Sequence, residues 1–136
     1  MNRVEFQALT RTRLREARIL LKSGEPSGAY YLGGYAVECA LKACIAKKTK
    51  RHDFLTLSAV QKAHTHTLID LIRAAGLEAS LKGERRNAGF SINWNIVRDW
   101  TVDSRYDARG RKEAADLISA ITARKHGVLT WLRKHW

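Results

Sequence analysis

The stretch "GAYYLGGYAVECALKACI", residues 28–45, decides the fold. Small and apolar residues dominate it, as in a buried helix, yet it carries Tyr30, Tyr31, Tyr35, the carboxylate of Glu38 and the amine of Lys42. On a helix, Tyr31, Tyr35, Glu38 and Lys42 follow one another at intervals of four, three and four residues, which puts all four on one face. Leu32, Ala36, Cys39, Ala43 and Ala46 fall on the other. Gly28, Gly33 and Gly34 each cost a helix about 1 kcal/mol relative to alanine, so another backbone is expected to come close. Glu38 and Lys42 stand in the favourable order for an ion pair one turn apart. Two readings follow: a structural pair with tyrosines covering the core, or a polar pocket in which Glu38 and Lys42 orient groups from another helix.

The neighbouring punctuation sets the ends of this helix. Gly24 stops what precedes it, and Pro26, the only proline, sits where a first helical turn tolerates one. The helix is therefore predicted from about Pro26 to Lys48. Before it, Phe6, Thr10, Leu14, Ala17 and Leu21 recur every three to four residues with arginines between them, which predicts a first helix. After it, "KKTKRHDF" reads as a loop. "LSAVQKAHTHTLIDLIRAAGL" reads as two helical pieces, the later one starting near Thr65 and ending at Gly76. A short helix or turn is expected around Glu78 to Lys82. A further helix is expected in "AGFSINWNIVRDW", with Ile92, Ile96 and Trp100 inward, and "TVDSRYDARG" breaks it. The last helix is predicted to run unbroken from Arg109 to Lys134, with Ala114, Ile118, Ile121, Lys125, Val128 and Leu132 as one stripe widened by Leu117 and Trp131. No run of alternating residues argues for a sheet. The expected fold is all-α: one domain over residues 1–136, an antiparallel up-and-down bundle of four to five helices.

The 136 residues are 45% hydrophobic and 28% charged, enough for one core with an ordinary surface. No run of 18 or more apolar residues suggests a membrane span, and no apolar leader is visible at the start, so a cytoplasmic protein with no membrane partner is expected. Cys39 and Cys44 point to different sides of their helix and form no metal-binding pair, so they read as buried inert thiols.

Charge is the strongest compositional signal. Twenty-five Lys and Arg face 13 Asp and Glu, for a net charge of +12. The cations cluster at Arg11, Arg13, Arg15 and Arg18, in "KKTKR" at 47–51 and in "KGERR" at 82–86, and no acid follows Asp116. Such a surface attracts polyanions, above all nucleic acid. The plain alternative is a solvated helical surface.

Taken together, "AYYLGGYAVECALKA", "HTLIDLIRAAGL" from His66 and "WTVDSRYD" from Trp100 resemble, in order, three segments of the HEPN domain family (higher eukaryotes and prokaryotes nucleotide-binding). The resemblance covers residues 28–45, 66–77 and 94–107. It implies a bundle of four or five helices, commonly a homodimer, with an RNA-related role. Many family members are ribonucleases acting as toxins of toxin–antitoxin pairs; others are partners of small nucleotidyltransferases encoded beside them. The nuclease branch carries an arginine and a histidine four to six residues apart on one helix. No arginine here has a histidine at that distance downstream. Lys47 and His52 have the spacing but begin with lysine, and Arg98 and Arg105–Tyr106 stand where the motif is expected.

Cleavage of RNA without a metal needs a base for the 2′-hydroxyl, an acid for the leaving oxygen and cations for the phosphate. Arg98 and Arg105 suit a phosphate. Glu38 and Asp103 are candidate proton acceptors, Tyr106 a candidate donor, and His66, marked by the resemblance, the candidate histidine. Tyr35, Lys42, Lys47 and Lys48 join Arg98 and Arg105 as candidate nucleic-acid contacts, and Trp94, Trp100 and Tyr106 as candidate stacking surfaces, with Trp94 and Trp131 read first as core. No phosphate-loop, dinucleotide or zinc-protease motif is present, so no cofactor is expected. Two functions stand side by side: an RNA- or nucleotide-binding module, one half of a two-gene system with an antitoxin or nucleotidyltransferase partner, and a divergent metal-independent ribonuclease.

Overall fold

The computed structural model describes residues 1–49 and 65–136. Within them every regular element is helical: α1 (Arg3–Lys22), α2 (Pro26–Lys48), α3 (Leu68–Ala74), α4 (Glu78–Glu84), α5 (Ala88–Arg98), a 3-10 turn (Val102–Tyr106), α6 (Arg111–Thr122) and α7 (Val128–Leu132). None of these helices is long and apolar enough to cross a membrane. The all-α expectation holds. The helices outnumber the four to five expected, because α3 and α4 are separate short pieces and the last helix is broken. The expected loop over "KRHDF" and the first piece of the third helical region lie outside the described residues, as does His52.

Backbone chemistry explains where the first elements start and stop. Asn2 caps α1: its Oδ1 accepts from the Glu5 amide at 2.9 Å, and its own amide donates to Glu5 Oε2 at 2.7 Å. Gly24, at φ +81°, ends α1. The Glu25 amide reaches back to the Leu20 carbonyl at 2.8 Å and the Gly24 amide to Leu21 at 3.3 Å, the paired bonds of a left-handed helix stop. Gly76, at φ +69°, ends α3 in the same way, with Leu77 donating to Ile72 and Gly76 to Arg73, both at 3.0 Å.

Helix α2 is the hub. It packs against α1 most extensively and also meets α3, the 3-10 turn, α6 and α7. Ala29, Gly33, Ala36, Val37, Ala40, Leu41 and Cys44 are all buried, so the helix is covered nearly all round. The expected polar side is itself largely covered, with Glu38 buried and Tyr31, Tyr35 and Lys42 half-buried. The neighbours that meet the glycines also differ from expectation: side chains approach them, not a backbone. A Cβ on Gly34 would lie 2.2 Å from the indole of Trp100, and one on Gly33 would lie 3.6 Å from Leu117 and Ile118 of α6.

Two elements depart from the periodicity reading. In α5 the inward stripe is Phe90, Trp94 and Val97, spaced four and three, while Ile92 is 62% exposed. Phe90 and Trp94 bury more area than two isoleucines, so the aromatic face wins. Trp100 is buried as expected, and Ile96 is half-buried at the edge of the stripe. The last helix breaks after Thr122. His126 takes a left-handed φ of +62°, its carbonyl accepts from Asn93 Nδ2 at 3.0 Å, and Thr130 Oγ1 donates to the Ala123 carbonyl at 2.9 Å. A Cβ on Gly127 would lie 2.2 Å from the Ala123 carbonyl oxygen, so the close approach depends on glycine. Lys125, placed on the apolar stripe by spacing, sits exposed in this break.

Candidate functional site

Glu38 lies at the middle of the hub helix and is only 1% exposed. Its Oε1 accepts from Lys42 Nζ at 2.9 Å, one turn on, and from His66 Nδ1 at 2.7 Å. His66 stands just before α3, so a residue 28 positions away in sequence is brought onto the helix by the packing of α3 against α2. Oε2 is buried and has no hydrogen-bond partner among the described residues. An isolated carboxylate here would be strongly unfavourable; the lysine and the imidazole N–H compensate it.

A carboxylate only accepts hydrogen bonds, so Nδ1 of His66 carries the proton that bonds to Glu38, and Nε2 is the ring nitrogen turned away from it. The His66 side chain is 51% exposed and lines a cavity of about 250 Å³ with Ile69, Arg98, Trp100, Thr101 and Asp103. The cavity is formed where the start of α3 meets the end of α5 and the start of the 3-10 turn. One imidazole held from behind, one guanidinium and one aspartate thus share a small concave space. Whole small-molecule ligands usually fill about 300–1,000 Å³.

The other candidates divide clearly. Among the described residues the one carboxylate within 4 Å of the Arg98 guanidinium is Asp99, at 3.9 Å from Nε and beyond hydrogen-bond reach. Lys42 is largely shielded and engaged with Glu38, so it supports the carboxylate and is not an open nucleic-acid contact. Arg105 and Tyr106 do not line the cavity. They stack on each other, with the guanidinium 4.8 Å from the ring centroid, and Tyr106 is 77% exposed. Tyr35 is half-buried, stacked on Tyr31 with centroids 6.1 Å apart and covered by Arg13 at 6.0 Å. Burial, and then the neighbouring Cys39 and Glu38, push its phenol up. Lys47 and Lys48 are exposed in the last turn of α2, and Lys48 reaches over Gly76 at the end of α3. Trp94 and Trp131 are buried in the core, as their sequence reading has it, and Trp100 is buried as cavity wall, itself stacked with Tyr31 at 6.3 Å. The cysteines are free and buried, and burial pushes both thiols up to about 12.

Thr101 and Ile69 were not among the sequence candidates. Nothing in the periodicity marks them, because they reach the cavity by lying beside His66 and Arg98 in the fold. A comparison of the chain with protein-family models, with curated proteins and with solved structures finds no match in any of the three.

Proposed function

We propose that this chain is an RNA- or nucleotide-binding module of the HEPN type, an antiparallel helical bundle acting as a homodimer within a two-gene system, beside an antitoxin or nucleotidyltransferase partner. The observation that carries the binding role is the cavity on which Arg98 and the Glu38-held His66 meet, on a chain of net charge +12. Arg98 is the phosphate contact, a planar donor fork that matches phosphate oxygens. His66 Nε2 accepts a sugar hydroxyl, and the 2′-hydroxyl is the group that distinguishes RNA from DNA at such a site. The surrounding cations supply the long-range attraction.

The Glu38–His66 contact favours a second reading, metal-independent cleavage. His66 Nε2 takes the 2′-hydroxyl proton, the 2′-oxygen attacks phosphorus, and the P–O5′ bond breaks with a proton delivered to the leaving oxygen. Cleavage needs an acid as well as a base. Among the described residues the cavity offers a single imidazole, and Tyr106, the candidate donor, lies outside it. Binding is therefore the better-carried function.

The test is retardation of labelled tRNA and total RNA in metal-free buffer. Intact RNA, retarded at about 100 mM salt and less so at higher salt, is the expected result. Arg98→Ala should weaken it and lower the slope of log affinity against log salt by about 0.7, the value for one phosphate contact on a single strand. Cleavage that disappears in His66→Asn, whose amide still donates to Glu38 but offers no ring base, would replace binding with the second reading. Absence of any retardation would overturn both.

A further inference from the structure

A second concavity shares Ile69 with the candidate site. It is a groove of about 370 Å³ between α3 and α4, floored by Ile69, Ile72 and Leu81 and edged by Arg73, Lys82 and Arg85. One carboxylate, Glu78, faces these three cations. Arg73 is already engaged, at 3.3 Å from Asp70 and 3.7 Å from Glu78. Lys82 has no carboxylate partner among the described residues, and Arg85 donates to the neutral Asn95 Oδ1 at 3.2 Å. The groove therefore keeps two uncompensated cations above an apolar floor.

We infer that this groove is a second nucleotide subsite, and that the ligand is a single-stranded RNA segment spanning both concavities and not a mononucleotide. The inference rests on the RNA-binding reading of the Arg98 cavity. Three features carry it. The Arg98 cavity falls below the usual range for a whole ligand, whereas the groove lies within it. An apolar floor beside cations matches a base with its phosphate, because every base has a π-face that packs on apolar surface without regard to sequence. Continuity fits as well: the two concavities share Ile69 and so adjoin along α3. Lys82 and Arg85 carry the phosphate of the second nucleotide, and Ile69, Ile72 and Leu81 carry its base.

The experiment is fluorescence anisotropy with labelled adenylate dinucleotide and octanucleotide RNA, read against wild type, Arg98→Ala and the double variant Lys82→Ala/Arg85→Ala, with folding of each checked by circular dichroism. Lys82 and Arg85 are exposed, so the double variant keeps the fold. Wild type should bind the octanucleotide at least tenfold more tightly than the dinucleotide. The double variant should bind the octanucleotide at least tenfold more weakly than wild type and lower its salt slope by about 1.4, two contacts at about 0.7 each. If Arg98→Ala weakens binding but the double variant matches wild type, the subsite is overturned and the RNA-binding reading survives. If neither RNA binds wild type at about 100 mM salt, both fall. A labelled polyglutamate peptide that binds as tightly as the octanucleotide, and is lost equally in the double variant, would show a groove that reads charge alone and overturn the RNA assignment.

Discussion

Two successive regions of α2 break the preferences of a buried helix, and they break them for different ends. The Gly33–Gly34 turn gives up helix propensity so that Trp100 and the α6 side chains can come close. The Glu38–Lys42 turn gives up hydration so that a carboxylate, an amine and an imidazole can meet inside the fold. The first concession is steric and serves packing. The second is electrostatic and serves the site, and it is tolerable because Lys42 and His66 compensate the carboxylate. A buried helix with an odd composition thus holds two separate explanations, one turn apart.

The sharpest way to break the comparison is Glu38→Ala. It leaves Lys42 shielded beside the core without its carboxylate, and stability should fall by about 3–5 kcal/mol in urea unfolding. A loss below about 1 kcal/mol would mean that the centre is solvated and that Glu38 positions nothing.

Next in size is the contrast between the two adjacent glycines. Gly34→Ala drives a methyl group into the Trp100 ring, where a Cβ has only 2.2 Å, and should cost about 1–3 kcal/mol. Gly33→Ala meets its nearest neighbours at 3.6 Å, an ordinary contact, and should be neutral or stabilising by up to about 1 kcal/mol through helix propensity. Thermal unfolding of the pair separates them. Equal effects would show that the glycine turn has a single role and that the Trp100 approach is not specific to Gly34.

The last expected effect is a pH dependence set by the buried thiols. Burial raises both thiols to about 12, from the ordinary value of 9.0. Above about pH 9 the unfolded chain releases protons that the folded chain retains. The folded state then binds more protons, so stability falls as pH rises from about 9 toward 12; below pH 9 the thiols contribute no slope. The raised phenols of Tyr30 and Tyr35 act in the same direction. Urea midpoints between pH 8 and 11 should decline in wild type and decline less in the Cys39→Ala/Cys44→Ala variant. An unchanged slope would place the thiols in contact with water.

Much of the helical layout was legible locally. The span of α2 from Pro26 to Lys48 and the stops at Gly24 and Gly76 match the reading from proline and glycine chemistry, because left-handed backbone and a missing amide act within a few residues. The inward face of α5 was not legible, since both the isoleucine and the aromatic spacings are helical and only the partner surface chooses between them. The break at residues 123–127 was not legible either: it depends on Asn93, from another helix, holding the His126 carbonyl. For the site, Glu38, His66, Arg98 and Asp103 could be named one at a time from residue type and resemblance. A pocket in which Glu38 and Lys42 orient groups from another helix was one of two readings left open; that His66 is the group held, and that Arg105 and Tyr106 lie outside the cavity, came only from the packing.

Sequence alone determined the helical class, where most helices start and stop, and the strong positive charge, because propensity, capping and ionisation are properties of short segments. Tertiary structure decided which side chains meet: His66 with Glu38 across 28 residues, Arg98 with His66 at one cavity, Trp100 against Gly34. Those meetings depend on how helices pack, and packing is settled by the fit of whole surfaces that no local period encodes.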